Sequence, residues 1–169
     1  MSVILWGRNI DNALVGAIQA AAGAAALASA YAFEHLGGLR PCELCIYQRW
    51  PWWVALASGL TALLLRARPA VAGAVVAFAS LSILVGAGLA GFHVGVEQHW
   101  WEGLISCGAG DSTAMTVEAL RRQIETASVV RCDESTWSIF GVSMAGYNFI
   151  ISSLLGAGSL YVFWRSREA

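Results

Sequence analysis

Four long apolar stretches constrain the fold of this chain more than any other feature of its sequence. They cover residues 13–33, 46–65, 70–92 and 144–164, and each is close to the about 20 residues that an α-helix needs to cross a bilayer. Only 12% of the residues are charged, whereas an average soluble domain has about 25%. The sequence therefore predicts an all-α membrane protein, with residues 1–169 forming one integral membrane domain, a four-transmembrane-helix bundle.

The first stretch also has a rival interpretation, as a cleaved signal peptide. Its sequence AAALASAYA contains the triplet Ala-Ser-Ala at 28–30, which resembles a signal-peptidase site. However, Arg8 is the only basic residue before the stretch, and Asp11 opposes its charge. The apolar run is also longer than the core of a usual signal peptide, so we interpret residues 13–33 as a span.

The arginines predict how the bundle is oriented. The chain has no lysine, and five arginines fall in short segments on one side of the predicted spans: Arg8, Arg66, Arg68, Arg165 and Arg167. Because short cytoplasmic segments carry an excess of basic residues, this side and both termini should be cytoplasmic. The loops at 34–45 and 93–143 then face outward with all four cysteines. For a bacterial inner membrane that face is the periplasm, where thiols are oxidised.

The outer loop at 93–143 contains a helical pattern of its own. Its apolar residues recur at helical spacing between 113 and 128: Val117, Leu120, Ile124 and Ala127. This spacing, with polar residues on the opposite face, predicts a short amphipathic helix. The helix either lies on the outer membrane surface or caps the bundle, and the pattern fits both. Cys107 and Cys132 flank it, where a disulfide between them could close the loop.

A Cys-x-x-Cys pair, in the sequence PCELCIYQR, stands where the second apolar stretch begins. Pro41 suits the start of a helix. Cys42 and Cys45 should therefore lie in the first turn, where unpaired backbone N–H groups and the helix dipole stabilise a thiolate. Arg49 follows Cys45 by four residues and shares its helix face, about 6 Å further along the axis. Its guanidinium would favour a Cys45 thiolate; alternatively, Arg49 only extends toward lipid head groups.

Three tryptophans and a proline follow Arg49. Trp50, Trp52 and Trp53 match the aromatic belt that marks a membrane–water interface. Pro51 lies early in the span, so it should kink the helix and open space near Arg49. The sequence therefore predicts lipid-facing tryptophans around a locally distorted helix start.

Zinc binding and structural disulfides are the competing uses of the cysteines. One Cys-x-x-Cys with the isolated Cys107 and Cys132 is a poor match to a paired zinc knuckle. His93 and His99 add no strong ligand pattern. A structural bridge within Cys-x-x-Cys would close too small a loop to constrain the unfolded chain much. A metal-binding membrane protein and a disulfide-stapled assembly partner without turnover remain the alternatives, while the net charge of −1 gives no indication of nucleic-acid binding.

Two thiol pairs at one membrane surface predict an electron relay. An incoming thiol would attack a Cys107–Cys132 disulfide, and exchange would pass electrons to Cys42–Cys45. An interloop pairing of the cysteines is also allowed by their spacing. A lipid-soluble quinone is the natural acceptor, because Cys45 lies at the boundary where a quinone head group can sit.

The motif PCELCIYQR, the second cysteine pair and the run CDESTWSIFGVSMAGYN resemble the disulfide bond formation protein B (DsbB) family. The spacing of the four predicted spans extends this resemblance over nearly the whole chain. It implies an inner-membrane enzyme that is a quinone-dependent protein-disulfide oxidoreductase. Such an enzyme takes part in electron transport, and by supporting disulfide bond formation it has a chaperone-like role in the folding of other proteins. The expected partner is a DsbA-like periplasmic thioredoxin-fold protein, and the expected cofactor is ubiquinone or menaquinone rather than a metal.

The same resemblance assigns a role to each site residue. Cys107 would form the mixed disulfide with the partner, and Cys132 would engage Cys42 in an interloop disulfide. Cys45 would be the thiolate in contact with the quinone, and Arg49 would stabilise that thiolate and the reduced quinone. A vitamin K epoxide reductase-like enzyme also joins Cys-x-x-Cys to a quinone, but its active pair would be expected near a later helix.

The end of the third stretch departs from the pattern of the family. Some members place a histidine soon after a glutamate there, whereas here Gln98 follows Glu97, in GFHVGVEQHWW. His99 comes one residue later and His93 one turn earlier. We expect each histidine to be an ordinary interfacial residue.

Overall fold

The structure, a computed structural model, is mainly helical. It describes residues 2–103, 116–117, 121, 131–135 and 137–168. Within these ranges the elements follow in this order: α1 (Ser2–His35), α2 (Glu43–Tyr47), α3 (Arg49–Leu64), α4 (Pro69–Glu97), β1 (Ser138–Ile139), β2 (Val142–Ser143) and α5 (Met144–Glu168). The amphipathic helix predicted between 113 and 128 lies almost entirely outside the described residues.

Three of the helices have segments long and apolar enough to cross a membrane. These segments are Asn12–His35, Pro69–Glu97 and Met144–Arg167. They correspond to the first, third and fourth apolar stretches of the sequence, so the predicted helical architecture is confirmed and three of the four predicted spans have helices of sufficient length. The second stretch forms α3, which has 16 residues and is shorter than the about 20 that a span requires.

Proline explains where α3 and α4 begin. Pro51 has no N–H, and its ring would clash with the carbonyl of the residue four positions earlier, Tyr47. The chain accordingly breaks at Gln48, between the end of α2 and the start of α3. Pro69 stands at the first position of α4, where its missing N–H costs nothing. The kink predicted at Pro51 is therefore a helix break one turn upstream of the ring.

Small residues bring the helices close together. α3 packs between α1 and α4, and α4 packs against α5 along its length. A methyl group added at Gly59 would collide with the backbone of Gly16 and with the Ala20 nitrogen at 2.7 Å. Another at Gly23 would lie 2.8 Å from the Trp52 carbonyl. Such contacts are typical of membrane helices, whose association depends on close van der Waals packing.

A buried polar pair links α1 to α4 in the middle of the bundle. The Gln19 amide donates to the hydroxyl of Ser80 at 2.9 Å and to the carbonyl of Val76 at 3.3 Å. Gln19 is fully buried, and its Oε1 has no hydrogen-bond partner. The pair therefore links α1 to α4 through the Gln19 nitrogen, while the Gln19 oxygen has no hydrogen-bond partner.

A two-residue hairpin leads into α5. β1 and β2 pair antiparallel, with Phe140 and Gly141 in the turn at φ 51° and 76°. Two consecutive positive φ values define the turn type that matches the twist of a hairpin. The Tyr147 hydroxyl donates to the Ile139 carbonyl at 3.1 Å and attaches the hairpin to the first turn of α5. The hairpin thereby fixes the chain that comes from Cys132 against the helical bundle.

Candidate active site at the start of α2

Cys42 is the N-cap residue of α2. Its backbone is extended, and its Sγ accepts a hydrogen bond from the Cys45 N–H at 3.3 Å. Serine and aspartate oxygens cap helices through the same contact. The predicted position of both cysteines at the first turn is confirmed, and the cap holds their side chains on one side of the helix end.

The two thiols contact each other. The Cys42 Sγ lies 2.8 Å from the Cys45 Sγ and donates to it. This hydrogen bond lowers the pKa of the Cys45 thiol below its usual range, and the Arg49 charge acts in the same direction more weakly. The same bond, together with burial, raises the pKa of the Cys42 thiol. The pair is therefore asymmetric, with the proton held on Cys42 and the readier thiolate on Cys45.

Cys132 reaches the same place from the long outer loop. It is buried, and it packs in one cluster with Cys42, Leu44 and Val96, with Cys45 at the edge. Cys107, the fourth predicted catalytic cysteine, lies outside the described residues. The structure thus brings the Cys-x-x-Cys pair together with one cysteine of the second pair.

Arg49 points toward α1 instead of toward bulk water. Its Nη1 lies 2.6 Å from the Glu34 Oε2, and its guanidinium stacks over the Tyr31 ring at 4.9 Å. The two charged atoms are close but not aligned as a hydrogen bond, so Glu34 Oε2 is buried without a hydrogen-bond partner. Because the Arg49 side chain is only 15% exposed, it is held inside the protein, close to the cysteines.

A chain of hydrogen bonds runs from α3 through α5 to α4. The Trp52 indole donates to Asn148 Oδ1 at 2.9 Å, and Asn148 Nδ2 donates to Gln48 Oε1 at 2.6 Å. Gln48 Nε2 lies 2.8 Å from His93 Nδ1, and His93 Nε2 lies 3.7 Å from the Cys42 Sγ. The cysteine pair is therefore connected to a buried polar network that spans three helices.

Two expectations from the sequence are wrong at this network. His93 belongs to α4, which extends five residues beyond the predicted span end at residue 92, and its side chain is 5% exposed. It is therefore not an ordinary interfacial residue. Trp52 is buried at 6%, whereas Trp50 and Trp53 are exposed as a lipid-facing belt requires. Trp52 lies on a different face of α3 from Trp50 and Trp53, as helical periodicity requires, so its N–H is buried and needs a partner.

A cavity of about 510 Å³ opens beside the cysteines, within the range of about 300–1,000 Å³ that ligand pockets usually have. Apolar side chains of α1, α3 and α5 form most of its wall: Ala22, Ala26, Leu27, Phe33, Trp52 and Ile151. Its polar lining includes both cysteines of the pair and their neighbours: Glu34, Cys42, Cys45, Gln48, Arg49, His93 and Glu97. The reactive sulfurs thus meet an apolar space large enough for a small ring.

The arrangement suits redox chemistry better than a structural metal. The Cys42 and Cys45 sulfurs and one His93 ring nitrogen lie within 4.8 Å of one another. Structural zinc almost always has four protein ligands, and this group offers three among the described residues. The two sulfurs are instead hydrogen bonded to each other, close to the geometry in which a disulfide forms.

Comparison with known proteins decides the class of chemistry. The family model described as "Disulfide bond formation protein DsbB" matches residues 12–162. The chain belongs to the DsbB family. DsbB proteins are membrane proteins that act in disulfide bond formation, so the cysteine site belongs to a disulfide oxidoreductase.

Individual relatives agree with the family. "Disulfide bond formation protein B" of Methylococcus capsulatus is 32% identical over 150 residues, which cover 86% of this chain and 90% of the relative. The protein of that name from Marinobacter nauticus is 32% identical over 147 residues, or 82% and 84% of the two chains. That of Albidiferax ferrireducens is 29% identical over 139 residues, or 78% and 76%. No solved structure matches the chain.

Glu34, Gln48, His93 and Asn148 complete the site, and the sequence analysis assigned none of them. One signal was available, because an amide or an ionisable group inside an apolar stretch is expensive in a membrane and usually has a functional reason. Gln48 and Asn148 both lie within the motifs on which the resemblance to DsbB proteins rests. The signal does not name their partners, which come from other helices.

Proposed function

We propose that this DsbB protein is a quinone-dependent thiol oxidase that reoxidises a DsbA-like periplasmic thioredoxin-fold protein. The observation that carries the proposal is the asymmetric pair of thiols, Cys42 and Cys45, opening onto an apolar cavity beside Arg49. A thiolate at such a boundary can exchange with protein disulfides on one side and face a lipid-soluble acceptor on the other.

The residues of the cavity fit a quinone head group. A quinone is a flat, uncharged ring with two carbonyl acceptors, and reduction converts these into hydroxyl donors. Arg49 offers N–H donors to the carbonyl form, and Glu34 Oε2, buried and without a hydrogen bond, offers an acceptor to the hydroxyl form. Ubiquinone and menaquinone both fit this description, and their isoprenoid tails would follow the apolar wall of α1 and α5.

Electrons enter through the second cysteine pair in this mechanism. A thiolate of the partner attacks a Cys107–Cys132 disulfide, breaks its S–S bond and forms a mixed disulfide with Cys107. The partner's second thiol then resolves that mixed disulfide, leaving the partner oxidised and Cys107 and Cys132 reduced. Each exchange breaks one S–S bond and forms another, so two electrons and two protons move onto this chain.

Exchange between the two pairs follows. Cys132 attacks Cys42 of the Cys42–Cys45 disulfide, which their shared buried cluster favours, and Cys45 leaves as the thiolate. Attack by Cys107 on the Cys42–Cys132 bond restores the second pair. When the Cys42–Cys45 dithiol returns to a disulfide it loses two electrons and two protons; Arg49 and Glu34 would hold the quinone that would take them up.

The proposed orientation follows from the arginines. Arg165 and Arg167 end α5, and Arg66 and Arg68 form the turn between α3 and α4. We place these ends in the cytoplasm and the cysteine end in the periplasm of an inner membrane. We also propose α3 as the fourth span, because it packs between α1 and α4.

The first experiment is quinone reduction by the purified protein in detergent. Reduced thioredoxin-fold partner is the electron source, and the absorbance of the quinone reports turnover. We expect wild-type protein to turn over and Cys45→Ser to be inactive, because serine cannot form the disulfide. Full activity of Cys45→Ser would contradict the mechanism.

A second variant separates the two halves of the relay. Cys107→Ser should lose turnover with the partner protein, because the entry disulfide is missing. With a small dithiol such as dithiothreitol it should still reduce quinone, because such a molecule can reach Cys42–Cys45 directly. Loss of both activities in a folded Cys107→Ser protein would place the entry of electrons elsewhere.

A further inference from the structure

The hydrogen-bond network beside the cysteines contains enough information to assign its protons. It begins at Trp52, whose indole nitrogen is a donor only. The acceptor facing Trp52 at 2.9 Å must therefore be the Asn148 oxygen. The Ser152 hydroxyl donates to the same oxygen at 3.1 Å. The Asn148 amide nitrogen consequently points away from both, toward Gln48.

The orientation of the Asn148 amide determines the orientation of the Gln48 amide. The Asn148 nitrogen donates, so the Gln48 atom 2.6 Å from it is the oxygen. The Gln48 nitrogen then faces His93 and also donates to the Leu44 carbonyl at 3.2 Å. Because this nitrogen carries only hydrogens, His93 Nδ1 must be the acceptor at 2.8 Å. In a neutral imidazole the proton then resides on Nε2.

The protonated nitrogen is directed at the reacting sulfur. His93 Nε2 lies 3.7 Å from the Cys42 Sγ, within the longer range of hydrogen bonds to sulfur. A ring N–H also donates to the backbone carbonyl of Cys132; because Nδ1 accepts from Gln48, this is the same Nε2–H, which the carbonyl and the Cys42 sulfur share. His93 therefore bridges the sulfur of one cysteine and the backbone of the other, the two residues that exchange in the proposed mechanism.

We propose that His93 is a catalytic hydrogen-bond donor to Cys42, held in its neutral Nε2–H tautomer by the chain of side chains that begins at Trp52. This assignment rests on the proposed function for its role in turnover. The Nε2–H stabilises negative charge on Cys42 when that sulfur is released from the interloop disulfide. The same N–H, shared with the Cys132 carbonyl, keeps the exchange partner close to Cys42.

The charged groups around His93 do not displace this tautomer. The titratable side chains that face it are Cys42 and Cys45 from α2, Glu97 from α4 and Cys132 from the outer loop; α5 contributes the uncharged Asn148. Glu97 Oε1 is 3.9 Å from Nε2, too far for a hydrogen bond, and Oε2 already accepts from Ser143. An imidazolium would also direct an Nδ1–H against the Gln48 amide hydrogens.

Each sulfur then has its own hydrogen-bond donors, which stabilise its thiolate form. Cys45 receives the hydrogen bond of the Cys42 thiol, with Arg49 nearby. Cys42 receives the Cys45 N–H and the His93 Nε2–H. The two sulfurs can therefore carry negative charge in turn without a side chain having to move.

The direct test is ¹⁵N NMR of the reduced wild-type protein in detergent, labelled at histidine. The chain has three histidines, and the His93 signals are assigned by their loss in His93→Gln. The two ring nitrogens have distinct shifts for each tautomer, so the proton is located without any quinone present. We expect Nε2–H at pH 7; an Nδ1–H tautomer or an imidazolium would overturn the assignment.

A second readout follows the Cys42 thiolate in a Cys45→Ser background, as the rate of alkylation by iodoacetamide against pH. His93→Leu keeps the volume but loses the donor, whereas His93→Gln keeps an N–H. We expect His93→Leu to slow alkylation of Cys42 at pH 7 by about tenfold or more, because a hydrogen bond to a charged group is lost. His93→Gln should recover part of that rate.

The matched control is His99→Asn. His99 is exposed at φ 57° in the turn after α4, and asparagine tolerates that backbone conformation. This variant should leave the alkylation profile of Cys42 unchanged. Equal alkylation rates in wild type, His93→Gln and His93→Leu would overturn the donor role.

Neither readout depends on the quinone, so the two proposals fail separately. An Nε2–H tautomer with slowed alkylation in His93→Leu, but no quinone turnover by wild type, would remove the proposed function and the role in turnover together. The hydrogen bond itself would stand. Quinone turnover by wild type with an Nδ1–H tautomer would leave the proposed function intact and remove the His93 assignment.

Discussion

The cysteine end and the middle of this helical bundle bury polar groups in different ways. At the cysteine end, Gln48 uses both ends of its amide, accepting from Asn148 and donating to His93 and Leu44. In the middle of the bundle, Gln19 donates twice but leaves its oxygen without a partner. A fully satisfied network specifies the orientation of every member, whereas a half-satisfied one only ties two helices together. We therefore expect substitutions in the network beside the cysteines to lower turnover more than substitutions in the middle of the bundle.

The same substitution at the two glutamines gives the sharpest contrast. Gln48→Leu removes the donor that sets the His93 tautomer and leaves the Asn148 amide unsatisfied. We expect turnover with the thioredoxin-fold partner and quinone to fall by about tenfold or more, the scale of losing hydrogen bonds at a charged reacting group. Steady-state quinone reduction measures it. Unchanged turnover in folded Gln48→Leu protein would remove the functional difference between the cysteine end and the middle of the bundle.

α1 and α3 pack closely at Gly16, Ala20 and Gly59. Gly59→Leu would force a side chain into the backbone of Gly16 and Ala20, and overpacking costs about 1–3 kcal/mol or more. We expect a lower thermal midpoint in detergent, followed by tryptophan fluorescence. Gly158→Ala is the control, because a methyl group there meets nothing within 4 Å. Equal midpoints for both variants would mean that the α1–α3 contact contributes little.

The pH dependence of Cys45 reactivity sharpens the comparison of the two thiols. The pKa of Cys45 is lowered first by the Cys42 thiol and less by Arg49. The Cys45 thiolate therefore forms below the pH at which an ordinary cysteine ionises. Loss of the Cys42 thiol or of the Arg49 charge should move the pH midpoint of Cys45 alkylation to a higher value. Cys42→Ala should move it further than Arg49→Met. Iodoacetamide labelling of reduced protein, with mass spectrometry to identify Cys45, measures the order.

Arg131→Gln is the control for Arg49→Met, because it also removes one positive charge from the wall of the cavity. Arg131 also lines the cavity, but it is exposed and pairs with Asp133 and Glu134. Removing it should leave the Cys45 midpoint unchanged. A shift as large as that of Arg49→Met would show that general positive charge, and not the position of Arg49, supports the thiolate.

The smallest expected effect is at Gln19. Gln19→Leu removes a buried oxygen without a partner, and the Ser80 hydroxyl keeps its bond to the Val76 carbonyl at 2.8 Å. Hydrogen bonds between membrane helices average about 0.6 kcal/mol, so the thermal midpoint should change little and turnover should stay at the wild-type level. A large loss of turnover would extend the functional network to the middle of the bundle.

Much of this site could be predicted from local sequence. Pro41 and the Cys-x-x-Cys spacing predict a helix start with both thiols in its first turn, and the structure has Cys42 as the N-cap. The four-residue spacing predicts Arg49 near Cys45, and both line one cavity. The first prediction succeeds because a cap depends only on the geometry of one helix end. Arg49 still lies near Cys45, although the break at Gln48 puts the two residues in different helices.

The partners across helices could not be predicted in this way. Gln48 and Asn148 are 100 residues apart, Trp52 and Asn148 are 96 apart, and Gln48 and His93 are 45 apart. Their contacts depend on how far each helix is rotated and shifted along its neighbours. Helical spacing separates Trp52 from Trp50 and Trp53, but it does not say which face of α3 meets the bundle.

The sequence by itself determined that the chain is a helical membrane protein, which stretches are apolar, and where two reactive thiols meet a helix end. Those properties follow from the cost of exposing polar groups in lipid and from the periodicity of a single helix. Only the tertiary structure decided that His93 belongs to the cysteine site, that Arg49 pairs with Glu34, and which nitrogen of His93 holds the proton. Those properties follow from the close packing of small residues, which sets the rotation of each helix and so selects which buried polar groups meet.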